Sequence, residues 1–260
     1  MVRLYKDLNA IRIAGEIAFF ILCFILSLLP HLHTFPCVAF VFLLFLGWRY
    51  LFERIAARRV SLAIRNYDEC RARQGVEHLE SLLKRCDNGT VYLIKAHLTF
   101  GYLLLGDASR TLELLDSLPP FPDGKRWLPL QFICEGNRGM ACLMLGRLDD
   151  AEASNTRCAA ILAQMPEKWL RDGGIQGTYQ ASLTELRMAR GDFEGAADFY
   201  ARRLPEAPTM RRKVYNHYML AWALSHEGRN DEAWEHLQFA AENGGNTWYA
   251  AAARKKLDTL

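Results

Sequence analysis

His226-Glu227 opens a zinc-protease pattern in which two histidines one helical turn apart hold the metal and the glutamate activates water. Asn230 stands where the second histidine belongs, so the site lacks a ligand. Gly173-Gly174-Ile175-Gln176-Gly177 has the glycine density of a phosphate-cradling loop, yet no strand precedes it and no Lys-Ser/Thr follows, and it reads as a linker. His31 and His33 lie two apart and need another chain's pair to complete a metal site; a polar turn is the simpler reading. Glu16 borders an apolar run, where ionisable groups often relay protons, but Arg12 one turn earlier offers it an (i, i+4) ion pair. The seven cysteines (23, 37, 70, 86, 134, 142 and 158) include no Cys-x-x-Cys, and those beyond residue 52 mostly fall in helical patterns as small core residues. No His or Asp pairs recognisably with any of them as a nucleophile's base. The expectation is a non-enzyme with no catalytic residue, no cofactor and no metal.

The elements that position these residues fall into two kinds. Residues 17 to 48 contain no Asp, Glu, Lys or Arg, while the rest of the 260-residue chain is amphipathic. Ten of the thirteen residues from Ile17 to Leu29 are Ile, Leu or Phe, and eleven of the eighteen from Phe35 to Phe52 are Phe, Leu or Val. At roughly −0.3 to −0.6 kcal/mol for each such residue at a span centre, insertion into a bilayer outweighs the penalty of Glu16 near one end. Pro30 ends one helix, Pro36 suits the first turn of the next, and five residues join them, which predicts a transmembrane helical hairpin over residues 1–52. A cleaved signal peptide is the rival, but no small-x-small site follows the first run. Arg3, Lys6 and Arg12 precede the first span, Arg49, Arg54, Arg58, Arg59 and Arg65 follow the second, and the turn between has none, so both termini are placed in the cytoplasm of a bacterial-type cell membrane. On that side Asn88-Gly89-Thr90 is never glycosylated.

Beyond residue 53 apolar residues recur three or four apart in stretches broken at Gly, Pro or Asn, which predicts an all-α domain. One element recurs: Gly106-Asp107-Ala108-Ser109-Arg110-Thr111, Gly146-Arg147-Leu148-Asp149-Asp150-Ala151, Gly191-Asp192-Phe193-Glu194-Gly195-Ala196 and Gly228-Arg229-Asn230-Asp231-Glu232-Ala233. Each glycine is followed five residues later by a small residue, and the intervals are 40, 45 and 37 residues. A turn glycine accepts positive φ, and a small residue one turn into the second helix lets two backbones approach. Asp107, Asp149 or Asp150, Asp192 and Asn230 stand where N-caps are needed. Residues 53–87 read as connecting helices, Glu53 to about Arg73 and Val76 to Cys86, separated at Gly75.

Over residues 88–260 the pattern resembles a divergent tetratricopeptide repeat array of about four helix pairs. Leu220-Ala221, Leu224, Gly228, Ala233, Leu237 and Ala240 match the family's unit best, with Gly245 where the family usually has Pro. The resemblance implies a curved α-solenoid whose first helices line a concave groove. By that register the groove carries Phe100 and Leu103, then Ile133, Met140 and Met144, then Glu185 and Met188, then Tyr215, Tyr218, Trp222 and His226. The implied partner is a protein or peptide with an apolar segment, with no small-molecule substrate. The Lys and Asn set with which some relatives clamp a terminal carboxylate is missing.

Charge excludes a nucleic-acid partner. Residues 1–60 hold seven Lys+Arg and three Asp+Glu, and the remaining 200 residues hold 25 and 26, so the repeat region has no basic excess. Arg202-Arg203, Arg211-Arg212-Lys213 and Arg254-Lys255-Lys256 read as solvated helix ends. The expectation is a membrane-anchored cytoplasmic scaffold for protein assembly. The alternative is an accessory subunit of a transport or secretion complex in which the hairpin is the active part.

Overall fold

The computed structural model describes residues 17–19, 21, 42–47, 58–84, 88–171 and 174–259, and every regular element among them is helical. A helical stretch over 58–68 leads into α1 (Ala72–Leu83), α2 (Asn88–Leu104), α3 (Ala108–Asp116), α4 (Leu128–Met144), α5 (Leu148–Leu162) and the single turn α6 (Glu167–Leu170). Then follow α7 (Gly174–Ala189), α8 (Ala196–Arg203), α9 (Met210–His226), α10 (Asn230–Asn243) and α11 (Trp248–Leu257).

The recurring glycines make the turns. Gly106, Gly146, Gly191 and Gly228 have φ of +84°, +70°, +87° and +76°. After each, the next N–H reaches back to a carbonyl five residues earlier: Asp107 to Tyr102, Arg147 to Cys142, Asp192 to Arg187 and Arg229 to Leu224, at 2.8–3.0 Å. This Schellman closure satisfies the carbonyls left open at a helix end and needs a left-handed residue at its centre. The small residues five positions on, Thr111, Ala151, Ala196 and Ala233, are all fully buried. Thr111 fits because its hydroxyl donates to the Thr99 and Asp107 carbonyls, while Asn137 donates to the Thr99 hydroxyl at 2.9 Å, so polar atoms between α2, α3 and α4 satisfy one another.

A further helix turn precedes these and departs from the expected helix from Glu53 to about Arg73. The chain turns at Cys70, which takes φ of +58° while Arg71 N–H donates to the Asn66 carbonyl at 2.8 Å. Gly75, expected as the break, lies inside α1. A side chain there would stand 2.3 Å from the Tyr67 ring, and one at Gly101 on α2 would stand 2.2 Å from the Tyr67 hydroxyl, so the two glycines form the slot that holds this tyrosine. Of the expected N-caps, Asp107 accepts from Arg110 N–H. Asp149 and Asp150 lie in the first turn of α5, where they favour the helix dipole; Asp192 bonds Glu194 N–H ahead of α8; Asn230 is already the first residue of α10.

The array closes on itself. Helices α2, α4 and α7 pack in sequence, α9 packs on α11, and α11 returns to α2. Asn246 N–H donates to the Cys70 carbonyl at 3.2 Å, the Asn246 side chain accepts from Arg73 N–H, and Arg211 on α9 donates to Asp68 at the end of the 58–68 stretch. One core therefore runs from Val60, Tyr67 and Leu79 at one end of the described chain to Leu224, Leu237 and Tyr249 at the other.

No helix among the described residues is long and apolar enough to cross a membrane. Most of the expected hairpin over 1–52 lies outside the described residues. The described pieces, 17–19, 21 and 42–47, are helical, and Phe19 stacks on Phe45 with ring centroids 4.5 Å apart.

Candidate functional site

The inner helices surround a cavity of about 440 Å³. Of the expected groove residues, Phe100, Leu103, Ile133, Met140, Glu185 and Tyr215 line it, contributed by α2, α4, α7 and α9. The others lie elsewhere. Met144 packs with the Leu103 and Ala141 cluster, and Met188 is in the main core at 1% exposure. Tyr218 is buried against Trp248 and Tyr249. Trp222 meets the edge of Phe193 at 5.6 Å, and His226 stacks on Phe193 at 3.7 Å.

The cavity lining combines apolar and charged side chains. Helices α2 and α4 supply Phe100, Leu103, Phe132, Ile133 and Met140. The 58–68 stretch, α8 and α9 add the polar Asp68, Arg203, Arg211, Arg212 and Asn216 beside Ile64, Tyr67 and Tyr215. Arg211 donates to Asp68 at 3.1 Å and lies over the Phe100 ring at 4.9 Å. Arg203 donates to the Gly177 carbonyl at 3.0 Å and lies over Phe199, but its Nε has no partner. The guanidinium of Arg212 has no hydrogen bond or ion pair among the described residues. Burial, with Arg211 and Arg203 beside it, pulls its pKa down. Expected to be solvated helix ends, Arg203, Arg211 and Arg212 instead line the cavity. Arg211 and Arg212 stand four and three residues before Tyr215, so the helical period already put them on its face.

Glu185 is the buried acid of the site, at 5% exposure. Burial pushes its carboxyl up to about 7, against the pull of the Tyr215 hydroxyl that donates to it and of nearby Arg203. Tyr215 in turn lies 3.5 Å from the Tyr200 hydroxyl, and burial, with the Glu185 charge adding to it, holds both phenols well above their usual value. His97, also on the cavity wall, is pushed down by burial.

The motifs considered for chemistry have structural partners. Glu227 pairs with Arg229 at 3.1 Å, and Gly174 opens α7 while Gly173 lies outside the described residues. Among the described residues no group of three or more His, Cys, Asp or Glu side chains is placed to hold a metal. Cys70, Cys134, Cys142 and Cys158 are buried free thiols; burial pushes Cys70 up to about 11 and Cys134 and Cys158 up to about 12, the reverse of an activated nucleophile. Glu16, His31 and His33 lie outside the described residues.

Comparison with protein families, with curated proteins and with solved structures returns no match for this chain.

Proposed function

We propose that the chain is a membrane-tethered, non-catalytic docking module. It is a divergent tetratricopeptide-like array on the cytoplasmic side of a membrane, and a partner protein docks across the mouth of its central cavity. The observation that carries this reading is the convergence of inner-face side chains from α2, α4, α7 and α9 on one cavity with an apolar wall, where Phe100, Ile133 and Met140 remain half-buried. Concave sites with apolar walls and a few convergent polar groups are where proteins bind ligands. Regular glycine turns, each with a fully buried small residue five positions on, support the repeat reading. The ring closure argues for a short apolar segment, since an extended peptide has no open groove to run along.

The tether rests on the N-terminal pattern. Phe19 and Phe45 face each other, while Ile17, Ile21, Phe42, Leu43, Leu44 and Leu46 point outward and exposed. Such a concentration of outward apolar side chains is unfavourable in water and suits lipid.

The test uses the full chain in its own membrane. A photo-crosslinking amino acid at Met140 should form a partner adduct that the same group at Trp234, exposed on α10, does not form. The adduct should persist when residues 1–52 are exchanged for an unrelated anchor. Loss on that exchange moves the function to the hairpin, and equal labelling from both positions overturns the cavity as the docking site.

A further inference from the structure

We propose that the cavity binds a small organic anion, its carboxylate or phosphate head against Arg203, Arg211 and Arg212 and its apolar body against the α2 and α4 wall. The inference uses the same cavity as the docking reading, and it is tested on the purified chain without any protein partner.

Three observations carry it. The first is charge. Three guanidiniums line one cavity, and the acids beside them are Asp68, already paired with Arg211, and Glu185, whose carboxyl is bonded by Tyr215. Arg212 makes no side-chain hydrogen bond or ion pair among the described residues; Asp68, the acid whose charge reaches it, is already bonded by Arg211, and Arg211 and Arg203 add two like charges, an arrangement that costs free energy unless an anion completes it.

The second is unmet hydrogen bonding. Arg203 Nε is a buried donor of a cavity-lining residue and has no partner. Buried polar atoms are nearly always satisfied, so an unpartnered guanidinium N–H of a cavity-lining residue calls for an acceptor. Guanidinium donors suit carboxylate or phosphate oxygens, and planar guanidiniums take them in paired hydrogen bonds.

The third is size and shape. About 440 Å³ lies within the range of small-molecule sites, roughly 300–1,000 Å³. Phe100, Phe132 and Met140 in one lining with three arginines call for a molecule that is apolar in one part and anionic in another.

Binding of phenyl phosphate, benzoate, inorganic phosphate and neutral benzyl alcohol to the detergent-purified full chain, measured by calorimetry and by the rise in melting temperature, tests this. Phenyl phosphate or benzoate should bind at one site per chain, with benzyl alcohol about tenfold weaker or worse. Arg212→Gln should weaken the anion by a similar factor without lowering the melting temperature of the free protein, because it removes a charge that Arg203 and Arg211 oppose. Saturation by inorganic phosphate alone would assign the head group and leave the apolar body unneeded, overturning that half of the proposal. Absence of anion binding, equal binding of benzyl alcohol, or indifference to Arg212→Gln overturns the anion site. In each of these cases a partner adduct from Met140 still keeps the docking reading, and loss of that adduct with anion binding intact removes only the docking reading.

Discussion

Arg211 and Asp68 are 143 residues apart in sequence, and two guanidinium nitrogens of one donate to a single carboxylate oxygen of the other at 3.1 and 3.2 Å. Both side chains are largely shielded, at 20% and 29% exposure, so the pair ties the 58–68 stretch to α9 in a partly dry setting. Asp68→Asn and Arg211→Gln should each destabilise the domain by roughly 1–3 kcal/mol in denaturant unfolding, with a double-mutant coupling of about 1 kcal/mol or more. Additive effects would mean that the ring does not depend on this contact.

Gly245 makes the other half of the closure. It has φ of +54°, and a Cβ there would stand 2.4 Å from the Cys70 carbonyl oxygen. Gly245→Ala should cost on the order of 2–3 kcal/mol, since it adds a backbone clash to the left-handed strain. Gly146→Ala, at φ of +70° with open space around it, should cost about 1 kcal/mol. Equal shifts in melting temperature for the two would remove the close approach as the cause.

Ala233 sits fully buried one turn into α10, in the core where α9 and α10 meet. Ala233→Leu should overpack that contact and lower stability by ~1–3 kcal/mol. Unchanged unfolding would show that the helix pair can spread without loss.

Glu185 predicts a pH dependence of definite sign. Its folded pKa of about 7 lies above the ordinary 4.5, so between those values the folded chain holds a proton that the unfolded chain releases. The stabilisation is complete below pH 4.5 and is lost as pH rises to about 7, at up to roughly 1.4 kcal/mol per pH unit. His217, pushed down to about 4 by burial and by His236, acts oppositely, its contribution being lost as pH falls. The Glu185 effect is therefore the difference between wild type and Glu185→Gln unfolding across pH 4.5–7. A flat difference would place the carboxylate in an environment that tolerates its charge.

Much of the helical framework was legible because its determinants are local. A Schellman turn needs a residue that tolerates positive φ, and a close helix crossing needs a small side chain one turn later; both requirements fall within six residues, so Gly106/Thr111, Gly146/Ala151, Gly191/Ala196 and Gly228/Ala233 announce themselves. The same rule also covers Cys70 and Gly75, five apart, but a search that admits only glycine in the turn passes over them. Part of the cavity wall was legible for the same reason, since helical spacing places Phe100, Met140, Glu185 and Tyr215 on inner faces once the register is known.

The sequence by itself determined the helical character of the described residues, their glycine turns and the charge-free N-terminal stretch, since each depends on neighbours within one or two turns. Only the tertiary structure decided that the array closes into a ring, because closure rests on Cys70 against Gly245 and Asp68 against Arg211, contacts between segments over a hundred residues apart whose pairing no local period encodes. Closure also explains Gly245: a left-handed residue without a side chain is what the Cys70 carbonyl leaves room for. It likewise turned Arg203, Arg211 and Arg212 from apparent solvated helix ends into the polar wall of a cavity, because whether a long cationic side chain meets water or an enclosed space depends on what packs across from it.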